Sequence, residues 1–256
     1  MLIRTWNLYH GNSSPPQRQA FLDEMVRLAT ADDPDVVCLQ EVPAWALPRF
    51  TAAKLAARPL FGAAIGRKLT DLNHGVLRSA FAGQGNATHV SSRLTVLDRQ
   101  SSPLNPPRFQ ARKARELELD VRTRLAWAKE RRVAQAVRMR LDHGRTVLVC
   151  NVHCTSSPDR RLPDAELLRA AWFASSAAET GDVVVLAGDF NVTLDESPTL
   201  RSLATPEWGF SPAGPGIDHV LVRGAAAGPE HAWPEPERMH DGVLMSDHAP
   251  VDVTVT

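Results

Sequence analysis

The sequence predicts a layered α/β fold, and three observations support this class. A chain of 256 residues is long enough to bury a large core in one layered unit. Its beginning alternates in type, because a strand-like segment at 2–8 is followed by helical spacing at 18–31 and by the continuous apolar run Asp35–Leu39. Its end, residues 249–255, alternates apolar and polar side chains as a half-buried strand does.

The elements between these ends follow from periodicity and from turn residues. Helical patterns are predicted for 45–57, 108–132 and 163–179, and strands for 93–97, 133–141, 146–152, 182–187 and 217–222. The stretch 108–132 lacks glycine and proline and favours a helix, although 116–122 also alternates like a strand. Loops or turns are predicted for the proline-rich 101–107, the hairpin turn 142–145 and the turn or short helix 196–203, while residues 62–90 are glycine-rich and poorly patterned. No repeat and no linker interrupts the chain, which predicts one domain over residues 1–256.

Composition excludes several classes of protein. The chain has 29 basic and 29 acidic residues and a formal net charge of +0, so binding to a polyanion would need a local basic patch. Its three cysteines lack the spacing of a disulfide scaffold. A zinc site at Cys150, His153 and Cys154 is conceivable, but no second cluster of cysteine and histidine completes it. No secretory signal and no apolar run of about 20 residues is present, which predicts a cytoplasmic protein without a membrane span.

Polar residues are concentrated where the predicted strands end. They directly follow or precede apolar runs, and they are Asn7, Gln40 and Glu41, Asn151 and His153, Asp189 and Asn191, Asp218 and His219, and Asp247 and His248. Rigid strands that deliver carboxylates, amides and imidazoles to one rim of a sheet build a polar site.

These residue types indicate a reaction class. Carboxylates with amide oxygens suit Mg²⁺, or alternatively Mn²⁺, better than zinc. Histidines beside them can act as a general base and as a donor to a phosphate oxygen. The set therefore predicts metal-assisted attack of water on phosphorus. Each motif alone has a structural alternative: Gly188–Asn191 could form a turn, Ser246–His248 could cap a loop, and His153 could be a hydrogen-bonded core residue. The remaining histidines, among them His10 and His143, are assigned to structural roles.

In order along the chain, the motifs are Trp-Asn, Leu-Gln-Glu, Asn-x-His, Gly-Asp-Phe-Asn, Ile-Asp-His and Ser-Asp-His. As an ordered set over Thr5–Pro250 they resemble the endonuclease/exonuclease/phosphatase superfamily, which includes pancreatic deoxyribonuclease, neutral sphingomyelinases and inositol-polyphosphate 5-phosphatases. The resemblance implies a four-layer α/β/β/α sandwich of two mixed sheets flanked by helices.

The resemblance also implies roles for individual residues. Glu41 resembles the principal metal ligand, with Asn7 beside it and Asp247 as a further carboxylate on the metal side. Asp189 resembles the residue that activates the attacking water, and His248 the histidine beside the phosphate with Asp218 as its orienting partner. The catalytic set is completed by His153 and Asn191. Asn151, and Asn86 in the Gly-Asn-Ala motif, are expected to contact substrate.

The expected substrate is a phosphoester, with nucleic acid as the first choice. The basis is a basic run at 108–132, which holds nine basic residues against four acidic ones and could border a groove for a DNA or RNA backbone. A solvated helix face is the alternative interpretation of this run. A lipid or small-molecule phosphoesterase and a non-catalytic binding module are the competing functions. The sequence indicates no obligate protein partner.

Overall fold

The computed structural model describes residues 1–17, 20–59, 81–142 and 144–256. Most of the glycine-rich segment 62–90, the first two residues of the helix predicted at 18–31 and His143 of the predicted turn lie outside the described residues.

The described part of the chain forms two large sheets and one small one. In spatial order, the six-stranded sheet consists of β11 (His231–Ala232), β14 (Val251–Thr254), β1 (Leu2–Asn7), β3 (Val36–Val42), β5 (Gln84–Val90) and β4 (Ala52–Ala57). The five-stranded sheet consists of β10 (Asp218–Arg223), β9 (Val183–Asp189), β8 (Thr146–His153), β7 (Val133–Arg140) and β6 (Thr95–Pro103). The small sheet consists of β12 (Met239–His240), β13 (Val243–Met245) and β2 (Ser13–Ser14). Both large sheets are mixed, because β1 pairs with β3 and β8 with β9 in parallel while their other pairs are antiparallel.

Helices cover the outer faces of the sheets. They are α1 (Leu22–Thr30), α2 (Pro107–Glu116), α3 (Val121–Lys129), α4 (Arg161–Ala177) and α5 (Pro198–Leu203). Single turns of 3-10 helix occur at Tyr9–Gly11, Leu47–Arg49 and Glu235–Arg238. No helix among the described residues is both long and apolar enough to span a membrane.

Alternation along β8 shows how the layers are arranged. Val147 and Val149 pack into the cluster between the two sheets, together with residues of β1, β3 and β14. Leu148 and Cys150 point the other way and pack against α4. A third cluster joins α1 to the outer face of β1 and β3. Three apolar interfaces separate four layers, which confirms the predicted α/β/β/α sandwich.

A buried arginine fixes β1 to its neighbours. Arg4 donates from Nε and Nη2 to the two carboxylate oxygens of Asp252 on β14, both at 2.7 Å. It also donates from Nη1 to Asp32 at 2.6 Å and to the carbonyl oxygen of Ala29 at 2.8 Å, near the end of α1. The Arg4 side chain is only 1% exposed, so these partners compensate for a charge removed from water.

Two of the predicted helices are wrong. Residues 45–57 form a 3-10 turn and then the edge strand β4, because pairing with β5 overrides the helical propensity of an alanine-rich segment. The long helix predicted at 108–132 is two helices, α2 and α3. The break is set by Glu118, which is left-handed with φ 51°, and by Asp120, whose carboxylate caps α3 by accepting from the Thr123 N–H at 2.9 Å.

The strand predicted at 93–97 is longer than expected. β6 extends through the first part of the predicted proline-rich loop, because it pairs with β7 as far as Pro103 opposite Val133. A proline is tolerated at the end of an edge strand, where its missing N–H costs no ladder hydrogen bond. The short strands β2, β11, β12 and β13 were not predicted, because two or three residues carry no measurable period.

Candidate active site

The polar strand-end residues meet at one rim of the sandwich. β1 and β3 run in parallel and end at Asn7 and just after Glu41, while β9 ends at Asp189. The antiparallel strand β10 begins at Asp218, directly opposite Asp189. Register and strand direction therefore place these side chains on the same edge.

Sharp left-handed turns orient several of these residues. Glu41, Asn191 and Ser246 have φ values of 52°, 55° and 60°. Non-glycine residues seldom adopt this region, and it concentrates at functional sites where the surroundings enforce it. Gly188 has φ 145°, and a Cβ atom there would lie 1.8 Å from the carbonyl oxygen of Val152. The glycine of the Gly-Asp-Phe-Asn motif is thus required by the close approach of β8 to β9.

His248 forms a direct pair with Asp218. The imidazole Nδ1–H donates to Asp218 Oδ2 at 2.8 Å, and the backbone around His248 is held by Ser246 Oγ and by the Trp6 indole N–H. Burial alone would lower the pKa of His248, but the hydrogen bond and charge of Asp218 outweigh it and raise the pKa to about 10. The ring is therefore an imidazolium at neutral pH.

Asp189 occupies the centre of the cluster. Its Oδ2 accepts from Asn7 Nδ2 and its Oδ1 from the Asn191 backbone N–H, both at 2.9 Å. The same Oδ2 lies 3.9 Å from His248 Nε2 and 3.6 Å from His153 Nε2. Burial raises the pKa of Asp189, and the nearby charge of Asp218 adds to this. A carboxylate with a raised pKa is suited to accept a proton near neutral pH.

Glu41 lies in a contrasting electrostatic environment. Its Oε2 is 3.0 Å from His10 Nε2 and its Oε1 is 3.8 Å from His153 Nε2. Burial alone would raise its pKa, but the charge of His10 and a hydrogen bond from it outweigh burial and hold the pKa of Glu41 well below its usual range. Two carboxylates with opposite shifts indicate two different chemical roles.

A buried arginine contacts His153. Arg132 Nη1 lies 3.1 Å from both ring nitrogens of His153, and its Nη2 is 2.8 Å from a carboxylate oxygen of Glu130. Burial lowers the pKa of His153 well below its ordinary value, and the charge of Arg132 lowers it further. His153 is therefore neutral at pH 7, in contrast to His248.

Four of the polar residues named from the sequence lie apart from this cluster, and one of them is Gln40, which is fully buried and donates to Asn151. Asn151 is fully buried, donates to the carbonyl oxygens of Leu39 and Ala87, and accepts from Gln40. Asn86 donates to two backbone carbonyl oxygens in the interior. Both amides therefore bridge the two sheets. His219 is buried beside Glu230.

Two further residues of the predicted set lie at the edge of the cluster. Asp247 is exposed at the rim, and its charge is one of the contributions that raise the pKa of His248. Asn191 is buried, and its side-chain amide donates to the carbonyl oxygen of Cys154 at 3.0 Å.

The comparison with known families agrees with this arrangement. The sequence model described as the Endonuclease/Exonuclease/phosphatase family matches residues 5–248. The chain belongs to this family. The superfamily resemblance inferred from the ordered motifs is thereby confirmed, and the chain is a phosphoesterase by family. No curated protein matches the chain by sequence at a significant level.

Solved structures with the family fold cover the whole chain. A functionally unknown conserved protein from Enterococcus faecalis V583 is 17% identical, with a TM-score of 0.66 over 100% of this chain and 99% of that chain. A humanized D. rerio TDP2 is 14% identical, with a TM-score of 0.65 and coverage of 100% and 98%. D. rerio TDP2 complexed with a single-strand DNA product is 13% identical, with a TM-score of 0.63 and the same coverage. At these identities the likeness shows a common fold.

The Endonuclease/Exonuclease/phosphatase family generally uses a divalent cation, and the residues at the rim fit one. Carboxylate oxygens of Asp189 and Asp218 lie within 4.8 Å of each other and are available as ligands, whereas the protonated ring of His248 beside them is not. Asp218 Oδ1 is buried without a hydrogen-bond partner among the described residues. Glu41 adds a carboxylate that its ionic surroundings keep charged. By contrast, Cys150 and Cys154 are free and are buried in the apolar cluster between the five-stranded sheet and α4.

Two residues that contact the candidate site were not predicted from the sequence. His10, which the sequence assigned to a structural role, contacts Glu41 because Tyr9, His10 and Gly11 all have positive φ, and no sequence period predicts such a turn. Arg132 was counted in a helix. The hairpin predicted from β7 and β8 could have located it. Ala134 pairs with Val152, so Arg132, directly before β7, lies beside His153 at the end of β8.

Proposed function

We propose that the chain hydrolyses phosphodiester bonds of nucleic acid with a divalent cation and an activated water. The observation that carries the proposal is the cluster of Asp189, Asp218 and His248 at one rim, with Glu41 on the other side of His153. This arrangement supplies a base, a cationic donor and a charged metal ligand within one site.

Each residue then has a distinct task. Asp189 accepts a proton from the attacking water, since burial raises its pKa and Asn7 and Asn191 fix both of its oxygens. His248 donates a hydrogen bond from Nε2 to a phosphate oxygen, and Asp218 keeps its ring charged and oriented. Glu41 and Asn7 would hold the cation, Mg²⁺ or Mn²⁺, and Asp247 is proposed as a further ligand. When bound, the cation neutralises charge that develops on the phosphate oxygens.

The neighbouring side chains complete the site. Neutral His153 lies between Glu41 and Asp189, and Arg132 adds a fixed positive charge behind it. Asn191 shapes the turn after β9. Asn151 and Asn86 were predicted to contact substrate, and we now assign them to support of the rim from within the sandwich.

The proposal of a nucleic-acid substrate is supported by the surface beside the site. We name residues 107–132 the basic arm. Its exposed basic residues are Arg108, Arg112, Arg115, Arg122, Arg124, Lys129 and Arg131. A cavity of about 500 Å³ lies between the start of α3 and residues 155–159, two residues beyond His153. A structural neighbour, D. rerio TDP2, holds a single-strand DNA product. Of the residues that line this cavity, Arg122 is basic, whereas Asp120, Glu130 and Asp159 are acidic. The support for a polynucleotide substrate therefore comes from the exposed basic side chains of the arm, which suit a phosphate backbone.

A substrate panel tests the proposal. Purified protein is incubated with plasmid DNA, single-stranded DNA, RNA, sphingomyelin vesicles and a small phosphodiester, each with Mg²⁺, with Mn²⁺ or with a chelator. We expect cleavage of nucleic acid that the chelator abolishes. Turnover of the lipid or of the small diester alone would move the substrate to the competing phosphoesterase class. No turnover of any phosphoester would favour a binding module.

A further inference from the structure

We propose that His10 is a nitrogen ligand of the cation held at Glu41, so that this site binds a first-row transition-metal cation such as Mn²⁺ in preference to Mg²⁺. The inference rests on the proposed function, because it specifies the cation of the same site. It departs from the oxygen-only ligand set that the sequence predicted.

The turn that carries His10 is built against its backbone preferences. Tyr9, His10 and Gly11 have φ values of 46°, 55° and 80°. A left-handed residue other than glycine costs about 1–2 kcal/mol, and here two stand in succession. The Tyr9 N–H donates to Asn7 Oδ1 at 3.0 Å, and the Gly11 N–H donates to the carbonyl oxygen of Leu8 at 2.7 Å. Asn7 at the end of β1 therefore fixes the turn that presents His10 to the site.

His10 and Glu41 lie close enough for both side chains to contact one ion. His10 Nε2 lies 3.0 Å from Glu41 Oε2. A plain hydrogen bond has the same length, so distance alone does not distinguish the two roles, but the identity of the preferred metal does.

Among the described residues, the buried ring of His10 has a partner at one nitrogen only, which is Glu41 at Nε2. His10 is 5% exposed, and its Nδ1 has no hydrogen-bond partner in the part of the chain that the structure describes. A buried polar atom without a partner costs about 1–3 kcal/mol. The chain thus holds a strained and incompletely hydrogen-bonded imidazole against one carboxylate oxygen of Glu41, which indicates a functional role for that contact.

A second imidazole flanks the other oxygen of the same carboxylate. His153 Nε2 lies 3.8 Å from Glu41 Oε1. The donor set around Glu41 therefore mixes nitrogen with oxygen. Mg²⁺ favours oxygen ligands, whereas imidazole suits first-row transition-metal ions. A nitrogen ligand from His10 would consequently shift the preference of the site away from Mg²⁺.

The experiment measures the metal directly, with Mn²⁺ and Mg²⁺ as the probes. Isothermal titration calorimetry gives the affinity of each cation. Pulsed electron paramagnetic resonance of bound Mn²⁺ detects hyperfine coupling to the ¹⁴N nucleus of a coordinated imidazole. His10→Gln keeps an amide N–H that can bond to Glu41 but removes the imidazole. His10→Asn preserves a residue type that tolerates left-handed φ. The matched control is His240→Gln. Like His10, His240 has a carboxylate neighbour, Asp241, but it is partly exposed and is not one of the residues assigned to the site.

We expect wild-type protein to bind Mn²⁺ more tightly than Mg²⁺ and to show ¹⁴N coupling. His10→Gln and His10→Asn should lose at least about tenfold in Mn²⁺ affinity, the lower end for loss of a metal-site residue, and Mg²⁺ affinity should change much less. The ¹⁴N coupling should weaken or vanish in both variants and persist in His153→Gln and in the control.

Unchanged ¹⁴N coupling and an unchanged ratio of Mn²⁺ to Mg²⁺ affinity in His10→Gln would overturn the inference while leaving the proposed function intact. Absence of ¹⁴N coupling in Mn²⁺-loaded wild-type protein would do the same without any variant, so the test does not depend on how the variants fold. Failure of wild-type protein to bind either cation would instead refute the cation requirement of the proposed function.

Discussion

His248 Nδ1 lies 2.8 Å from Asp218 Oδ2, and this contact fixes the charge of the imidazole that faces Asp189. Burial and Asp218 act on the His248 pKa in opposite directions, and Asp218 prevails. The pair therefore couples two separate parts of the rim, the start of β10 and the segment before β14. As a result, His248 is a positively charged imidazolium in a partly buried site, where it is available to a phosphate oxygen.

Asp218→Asn should change the pH dependence of catalysis. The protonated form of His248 is present below its pKa, which Asp218 raises to about 10, and is lost as pH rises through that value. Without the Asp218 charge, burial lowers the pKa, so loss of kcat/KM on the alkaline side should begin at a lower pH. Profiles from about pH 6 to pH 10 measure this shift.

Asp247→Asn is the control for charge, because Asp247 is exposed and is the smallest of the named contributions to the His248 pKa. The fall of kcat/KM at alkaline pH should begin at nearly the same pH in Asp247→Asn as in the wild type. An Asp218→Asn profile that superimposes on the wild-type profile would show that protonated His248 does not govern the rate.

Glu41→Ala and His248→Ala should each lower activity by at least about a hundredfold, the typical contribution of one catalytic group. The two variants should differ in metal binding, because Glu41 is assigned to the cation and His248 to the phosphate. Activity assays with cation titrations on both variants check this. A near-wild-type rate in either variant would show that the substituted residue is not catalytic. A cation affinity in Glu41→Ala equal to that of the wild type would show that Glu41 does not bind the cation.

Gly188→Ala should destabilise the protein by about 3 kcal/mol or more, as expected when strain at a special φ is combined with a steric clash. The added Cβ would meet the Val152 carbonyl oxygen at 1.8 Å, and φ is 145°. Chemical denaturation measures the change in the free energy of unfolding. Gly144→Ala is the matched control, since φ is 87° but, apart from its chain neighbours, no atom of the described residues lies within 4 Å of the new Cβ. It should cost only about 1–2 kcal/mol, and equal losses in the two variants would argue against the clash.

Arg4→Ala should destabilise the fold by about 3–5 kcal/mol, because it leaves the partly buried carboxylate of Asp252 without its charged partner. The free energy of unfolding from urea denaturation tests this. Arg49→Ala provides the comparison, since Arg49 pairs with Asp23 on the surface, with both side chains exposed. An exposed pair contributes less than about 1 kcal/mol. Similar losses in the two variants would contradict the role of Arg4 in joining β1, β14 and α1.

Much of this molecule could be predicted from its sequence, because the informative residues are adjacent to strands. The polar ends of β1, β3, β8 and β9 were located by the apolar runs before them, and the order of the motifs identified the family. The break between α2 and α3 and the strand β4 could not be predicted, since local propensity favours helix in both places and only pairing and capping decide otherwise. The contact of His10 with Glu41 was not predicted, because the position of His10 depends on consecutive left-handed residues. Asn151 was expected at the substrate because a sequence does not show which face of a strand end is covered by the opposite sheet.

Charge reversal on the basic arm should weaken binding of DNA without changing chemistry at the site. Arg122 lines the cavity beside residues 155–159, and Arg131 directly precedes the buried Arg132. In the double variant Arg122→Glu, Arg131→Glu, we expect a higher KM for DNA and a shallower dependence of binding on salt, by about one unit of slope for each phosphate that the arm no longer binds. Turnover of a small phosphodiester should remain unchanged, because neither side chain belongs to the catalytic cluster.

Arg27→Glu is the control, since Arg27 is exposed on α1 in the opposite outer layer. If the salt dependence of the double variant equals that of Arg27→Glu, the basic arm is a solvated helix face and the backbone of the substrate lies elsewhere on the rim.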